Sequence, residues 1–128
     1  MNLLLDTCTL LWWWSAPQQL SPRVLALLKA PANNFFVSPA TAWEVATKYR
    51  KGKLPQGSAV ISDWHQRLVI DGFVELPISM EDALKAGGLQ GEHKDPFDRM
   101  IAAQSLTSGF PVVTSDEAIE GLGAERVW

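Results

Sequence analysis

Short apolar runs alternate along the chain with longer stretches in which apolar and polar positions recur at helical spacing. The short runs predict β-strands at residues 2–5, 35–37, 73–76, 112–114 and 126–128. The longer stretches predict helices at residues 7–14, 22–29, 39–51, 59–68, 80–86 and 96–108. Because strands alternate with helices, we expect an α/β fold with a mostly parallel central sheet covered by helices on both faces.

The predicted helices have recognisable start and stop signals. A capping residue precedes proline at three helix starts, which are Ser21-Pro22, Ser38-Pro39 and Asp95-Pro96. Ser79 with Asp82 resembles a capping box, and Gly52 and Gly109 are predicted to end two helices. In the helix at 39–51, the residues predicted to form the buried stripe are Trp43, Val45, Ala46 and Tyr49.

Composition indicates a compact protein without membrane or zinc-finger features. The 128 residues are 47% apolar and show no linker, so residues 1–128 are predicted to form one domain. The run 7–14 is too short to span a membrane, and no basic segment precedes it as in a signal peptide. One cysteine fits a reducing cytoplasm, and with only two histidines a metal site would need carboxylates and a hard ion such as Mg²⁺ or Mn²⁺.

The net charge of −3 argues against a general nucleic-acid coat protein, which would be basic. It does not exclude a nuclease, because carboxylates that bind metal ions contribute to the total. A partner that is a membrane is not expected.

Four acidic residues, distant in sequence, are predicted near one edge of the sheet: Asp6, Glu44, Asp98 and Asp116. Asp6 and Asp116 directly follow strands, whose carboxyl ends are where ligands bind in such sheets. Each acid also has a structural interpretation. Taken alone, Asp6 is slightly more typical of a helix N-cap, Glu44 could form an ion pair with Lys48, and Asp98 and Asp116 are both typical of helix N-termini. Their convergence favours a site for one or two divalent cations.

The chain resembles PIN-domain ribonucleases, specifically VapC-like toxins of type II toxin–antitoxin systems. The stretches that carry this resemblance are LLLDT at 3–7, VS at 37–38, WEV at 43–45 with GKL at 52–54, HKDPFDR at 93–99 and VTSD at 113–116. The DPFDR stretch is the most specific of them. One departure is Cys8, where related sequences often have histidine.

The resemblance implies a PIN-like three-layer α/β/α sandwich with Mg²⁺-dependent endoribonuclease activity, for which Mn²⁺ could substitute. It assigns metal binding and catalysis to Asp6, Glu44, Asp98 and Asp116, with Thr114 as a supporting polar residue. Metal-activated water would hydrolyse RNA phosphodiesters and leave a 5′-phosphate and a 3′-hydroxyl. The implied partners are an RNA substrate, a second copy of the chain in a homodimer and a VapB-like antitoxin that neutralises the toxin.

Other residues have two interpretations. Asp95 is predicted to cap the helix at 96–108, which leaves Asp98 free for metal. Arg99 could contact phosphate or pair with a site carboxylate, and pairing is favoured. The basic residues that could contact RNA phosphates are Lys48, Arg50, Lys51 and Lys53, although a solvated helix end is the simpler interpretation.

The remaining candidates are interpreted as structural. His93 is taken as an ordinary surface residue and Cys8 as a small apolar residue near the core. Of the consecutive Trp12, Trp13 and Trp14, two are predicted in the core and at least one is predicted to be partly exposed, where it could contact a partner.

Two other functions are alternatives to the nuclease. A haloacid-dehalogenase-type phosphatase needs an aspartate two positions after Asp6, where this chain has Cys8. A catalytically silent PIN-like interaction module is the alternative from a different class.

Overall fold

The computed structural model describes residues 1–55 and 57–128, and these residues form a five-stranded, all-parallel sheet. The strands lie in the order β3-β2-β1-β4-β5 and comprise β1 (Asn2–Leu5), β2 (Asn34–Val37), β3 (Val74–Glu75), β4 (Val112–Val113) and β5 (Arg126–Val127). The described helices are α1 (Thr7–Ser15), α2 (Pro22–Lys29), α3 (Pro39–Arg50), α4 (Gly57–Ser62), α5 (Trp64–Asp71), α6 (Met80–Gly88), α7 (Pro96–Ser108) and α8 (Ala118–Gly121). The predicted α/β/α sandwich with a parallel sheet is confirmed.

Alternating residues of β1 explain the three layers. Leu3 and Leu5 pack into one apolar core, and Leu4 packs into a second core on the opposite face of the sheet. All three leucines have no exposed surface, as expected for the central strand of a sheet covered on both faces. β1 pairs with β2 on one side and with β4 on the other, so the carboxyl ends of the three strands lie side by side.

Local signals account for the helix boundaries that agree with the sequence. The side chain of Ser21 accepts from the Val24 amide, and the side chain of Asp95 accepts from the Phe97 amide, each next to a proline in the first turn. Ser79 and Asp82 form the predicted capping box of α6. Gly109 ends α7 with a φ of 78°, a left-handed conformation that favours glycine.

Two predicted elements differ from the structure. The single helix expected at 59–68 is two helices, α4 and α5, because the backbone leaves the helical path at Asp63 (φ −100°, ψ 9°). Helix α6 extends to Gly88, two residues beyond the predicted end, into the segment expected to be a polar loop.

The predicted buried stripe of α3 is wrong apart from Val45. Trp43 and Tyr49 are 63% and 43% exposed, and Ala46 is also exposed. The side of α3 that faces the protein has polar residues among small ones, namely Ala40, Thr41, Glu44 and Val45. This helix therefore buries the side that holds the candidate acid Glu44.

The three consecutive tryptophans are all partly buried against the same core, so the predicted partial exposure is confirmed and the prediction of two fully core residues is wrong. Neighbours from distant parts of the chain cover both sides of α1. Trp12 packs against Trp128 with ring centroids 6.0 Å apart, and Trp14 meets Trp64 edge-on at 5.3 Å.

No helix within residues 1–55 and 57–128 is both long and apolar enough to span a membrane.

Candidate metal-binding site

Asp6 lies at the carboxyl end of the central strand β1. Its side chain caps α1 by accepting from the Thr9 amide at 2.8 Å, and only 8% of the residue is exposed. Burial raises the pKa of Asp6, and the negative charge of Glu44 adds to that effect. Hydrogen bonds from Thr114 and Thr9 act in the opposite direction. Asp6 is therefore both a helix cap and a carboxylate held at the sheet edge.

Glu44 is 5% exposed on the inner side of α3, and both of its carboxylate oxygens have partners. The Thr7 hydroxyl donates to Oε1 at 2.6 Å, and Nζ of Lys48 lies 2.7 Å from Oε2. Thr7 follows Asp6 directly in the sequence, so this contact links the carboxyl end of β1 to helix α3. The ion pair with Lys48 is present as the sequence indicated, while metal binding by Glu44, which lies beside Asp6, stays a prediction.

Asp98 lies in the first turn of α7, where the Asp95 side chain caps the helix. Oδ1 of Asp95 accepts from the amides of Phe97 at 2.9 Å and Asp98 at 3.3 Å. The carboxylate of Asp98 instead contacts His93, with 2.7 Å between Oδ2 and Nε2. Burial raises the pKa of Asp98, as do the nearby charges of Asp95 and Glu44, whereas His93 lowers it.

Asp116 is exposed and follows β4 by three residues. Its Oδ1 accepts from the Ala118 amide at 2.9 Å, and its own amide donates to Oγ1 of Thr114 at 3.0 Å. Thr114 is buried and also lowers the pKa of Asp6, so this threonine lies beside two of the candidate acids.

The structure places the four acids at one edge of the sheet but in two groups. Within the described ranges, one set of three potential ligands has its donor atoms within 4.8 Å of one another: His93, Asp98 and Asp116. Asp6 and Glu44 lie beside this set, since the charge of Glu44 raises the pKa of both Asp6 and Asp98. His93 was missed as a site residue, and its signal was its closeness in sequence to the DPFDR stretch.

Among the residues that the structure describes, Arg99 pairs with no carboxylate, so the predicted pairing with a site carboxylate is wrong. Its guanidinium donates to three backbone carbonyls, of Ala86 at 3.0 Å, His93 at 3.1 Å and Leu89 at 2.5 Å. The planar fork of arginine donors suits this role. Arg99 thereby ties the segment between α6 and α7, which contains His93, to the end of α6.

Cys8 is exposed, contrary to the prediction that it lies near the core. Although the residue as a whole is exposed, partial burial of the sulfur raises the pKa of its thiol to about 11, the charges of Asp6, Glu44 and Asp98 add to this, and Lys48 acts in the opposite direction. Cys8 thus lies among the candidate acids, and its thiol is protonated at neutral pH.

The basic residues differ in their surroundings. Lys48 is engaged by Glu44, whereas Arg50, Lys51 and Lys53 are exposed at the end of α3 and in the turn after it. Arg50, Lys51 and Lys53 are therefore accessible from solvent.

The donor atoms at this edge fit a divalent metal ion. Carboxylate oxygens are the ligands that Mg²⁺ and Mn²⁺ prefer, and an imidazole nitrogen is a further donor to transition metals. Burial is the main cause of the raised pKa values of Asp6 and Asp98, repulsion by neighbouring carboxylates adds to it, and a bound cation would offset both effects.

The model of the PIN domain family matches residues 3–124, so the chain belongs to the PIN domain family. PIN domains are generally nucleases and typically use divalent metal ions. The resemblance seen in the sequence is confirmed at the level of family and fold. No curated protein matches the chain by sequence.

Solved structures with the same fold include three from bacteria. VapBC2 from Rickettsia felis, bound to a DNA fragment from its promoter, has a TM-score of 0.74 at 17% identity over 99% of this chain and 98% of that chain. VapBC-1 from nontypeable Haemophilus influenzae has a TM-score of 0.67 at 18% identity, covering 99% and 97%. FitAcB from Neisseria gonorrhoeae has a TM-score of 0.62 at 20% identity, covering 100% and 97%. At these identities the similarity shows the fold.

Proposed function

We propose that this protein is a Mg²⁺-dependent endoribonuclease that hydrolyses RNA phosphodiesters and acts as the toxin of a toxin–antitoxin pair. The observation that carries the proposal is the arrangement of four carboxylates at the carboxyl edge of a PIN-domain sheet: Asp6, Glu44, Asp98 and Asp116. Residues 1–128 would act as one domain in the cytoplasm, with Mn²⁺ able to replace Mg²⁺.

These four carboxylates would hold the metal and serve as the catalytic residues. When bound, a divalent metal activates water for attack and stabilises negative charge on the phosphoryl group. Thr114 positions Asp6 and Asp116 through its hydroxyl, and Asp95 fixes the start of α7 so that the Asp98 carboxylate stays beside its neighbours. Arg99 would support the site indirectly, because it donates to the His93 carbonyl in the segment that precedes α7.

The exposed basic residues after Glu44 support an RNA substrate. Arg50, Lys51 and Lys53 would attract the phosphate backbone toward the carboxylates, although their charges also complement the end of α3. Lys48 would contribute through Glu44, whose charge it balances, and less through RNA.

An antitoxin partner is supported by the fold-level similarity to VapBC and FitAcB structures. The partner we propose is a small VapB-like protein that covers the acidic edge, and the toxin would be a homodimer. Exposed apolar side chains on α5 and α6 offer surface for such contacts, with Val69 and Met80 each 80% exposed.

Cleavage of structured RNA by the purified protein tests the proposed activity. We expect cleavage with Mg²⁺ or Mn²⁺, none with a chelator, and none by the Asp6→Asn variant. Metal-dependent cleavage that persists in Asp6→Asn would show that the carboxylates are assigned wrongly.

Expression in bacteria tests the toxin role separately. Induction of the chain alone should arrest growth, and co-expression of the small protein encoded beside it should relieve the arrest. Harmless expression of an enzyme that cleaves RNA in vitro would contradict the toxin role while leaving the nuclease in place.

A catalytically silent interaction module is the second candidate function. Lys48 and Thr7 already satisfy the Glu44 carboxylate without metal, which favours a structural role for that residue. If no RNA is cleaved with either metal, the protein belongs to this class.

A further inference from the structure

We propose that His93 is a metal ligand, so that one imidazole nitrogen beside Asp98 and Asp116 joins the carboxylates that bind the ion at this site. The inference deepens the proposed function and rests on it in requiring a divalent metal at this edge. It concerns which atoms bind the ion, and it can fail while the nuclease assignment stands.

The spacing of donor atoms supports a shared ion. Nε2 of His93 lies 2.7 Å from Oδ2 of Asp98, and the donor atoms of His93, Asp98 and Asp116 are all within 4.8 Å of one another. Neighbouring ligands of an octahedral ion, each about 2.1 Å from it, are about 3 Å apart and opposite ones about 4.2 Å apart. The three side chains therefore need only small movements to contact one ion.

The backbone around His93 holds the imidazole at this position. The His93 carbonyl accepts from Nη1 of Arg99 at 3.1 Å, and two residues later Asp95 caps α7. The same arginine also binds the carbonyls of Ala86 and Leu89, which fastens the segment at its start. A ligand whose main chain is anchored in this way loses little conformational freedom when it binds.

The imidazole ring of His93 is partly exposed, as expected for a ligand that an ion can reach from solvent. The side chains of His93 and Asp98 are 28% and 24% exposed and Asp116 is exposed, so an ion can reach these donors from solvent. Asp6 and Glu44 lie deeper, and their oxygens are held by Thr9, Thr7 and Lys48. His93, Asp98 and Asp116, which we call the rim set, thus have the donor atoms that are most available to an incoming ion.

An imidazole ligand changes which metals the site favours. Nitrogen donors suit transition metals, whereas Mg²⁺ prefers oxygen donors and retains several waters. We therefore expect Mn²⁺ to bind more tightly than Mg²⁺, and part of that preference should depend on His93.

Pulsed electron paramagnetic resonance of the Mn²⁺-loaded full chain, free of any histidine tag, tests the proposal. The chain contains two histidines, so a His65→Gln variant retains His93 as its sole imidazole. His65 is exposed on α5 and lies outside the rim set, which makes it the matched control. We expect nitrogen modulation from a directly bound imidazole in the wild type and in His65→Gln.

The His93→Gln variant should lose this modulation and bind Mn²⁺ roughly 10- to 100-fold more weakly. Its preference for Mn²⁺ over Mg²⁺ should fall, because the glutamine amide offers oxygen in place of nitrogen. If this variant fails to fold, the signal in His65→Gln still decides whether His93 is bound.

Mn²⁺ binding without nitrogen modulation in the wild type would overturn the His93 assignment alone. Absence of any Mn²⁺ binding by the wild type would overturn both this assignment and the proposed metal-dependent nuclease. RNA cleavage measured on the same preparations separates these two failures.

Discussion

Lys48 Nζ lies 2.7 Å from the Oε2 oxygen of Glu44, one helical turn earlier in α3. The two ends of this ion pair differ in environment, because the Lys48 side chain is 41% exposed whereas that of Glu44 is 7% exposed. Removing the lysine would leave a buried carboxylate next to Asp6 without its nearest positive charge.

We expect Lys48→Met to lower the free energy of unfolding by about 1–2 kcal/mol, less than for a fully buried pair because solvent screens the lysine. Lys51→Met, an exposed change at the end of the same helix, is the control and should shift stability by less than about 0.5 kcal/mol. Urea denaturation without metal gives both values. Equal losses in the two variants would mean that the Lys48–Glu44 contact contributes nothing.

Arg99 should be essential for stability because one side chain satisfies three carbonyls. Lysine cannot reproduce the fork, so Arg99→Lys should cost about 1–3 kcal/mol although the charge is retained. Arg50→Lys on the exposed side of α3 provides the control. Hydrogen exchange should also speed up at residues 89–95 in Arg99→Lys, and unchanged exchange there would contradict the anchoring role.

Asp82 gives a pH dependence that does not involve the site. Burial would raise its pKa, but hydrogen bonds from the Ser79 amide and the Thr107 hydroxyl outweigh it, and the pKa lies below the ordinary 3.8. A depressed folded-state pKa stabilises the protein fully above the unfolded-state pKa, and this contribution is lost as the pH falls through the folded-state value.

The free energy of unfolding of Asp82→Asn should therefore be about 1 kcal/mol below that of the wild type at pH 7, and the difference should shrink below about pH 4. Chemical denaturation across this range provides the measurement. Glu81→Gln, exposed on the same turn, should show a much smaller difference. A gap between Asp82→Asn and wild type that widens toward low pH would contradict the assigned hydrogen bonds.

Asp95 and Asp98, at the start of α7, should have different roles: Asp95 caps the helix and Asp98 binds the metal. Asp95→Ser retains a capping oxygen and should keep both stability and RNA cleavage, whereas Asp95→Ala should lose about 1 kcal/mol of stability. Asp98→Asn should lose at least about 100-fold in cleavage rate without losing stability, because it removes a charge from a crowded group. Cleavage that survives in Asp98→Asn would remove this residue from the site.

The features predicted correctly from the sequence are those that residues close together in the chain determine. The limits of α7 follow from Asp95-Pro96 at one end and Gly109 at the other, and the parallel sheet follows from the alternation of strands and helices. The burial of α3 could not be read from hydrophobicity, because its inner side meets Thr7 and supports polar contacts, while Trp43 packs edge-on against Phe97 near the surface.

The candidate site also combines residues placed by local sequence with a residue placed by tertiary contacts. Asp6 and Thr114 are placed by the strands that precede them, so their proximity could be predicted. The position of His93 depends on Arg99 and the carbonyl groups it binds, which are contacts between α6, α7 and the segment between them. No periodic pattern encodes such contacts, and His93 therefore looked like an ordinary surface residue.

End-group analysis of RNA fragments tests the central claim most directly. If metal-activated water is the nucleophile, fragments made by the purified chain with Mg²⁺ have 5′-phosphate and 3′-hydroxyl ends. They should be absent with a chelator and with Asp98→Asn, while Asp82→Asn, an equivalent change outside the site, should still produce them. Fragments with 2′,3′-cyclic phosphate ends, formed equally by Asp98→Asn or without metal, would contradict the account.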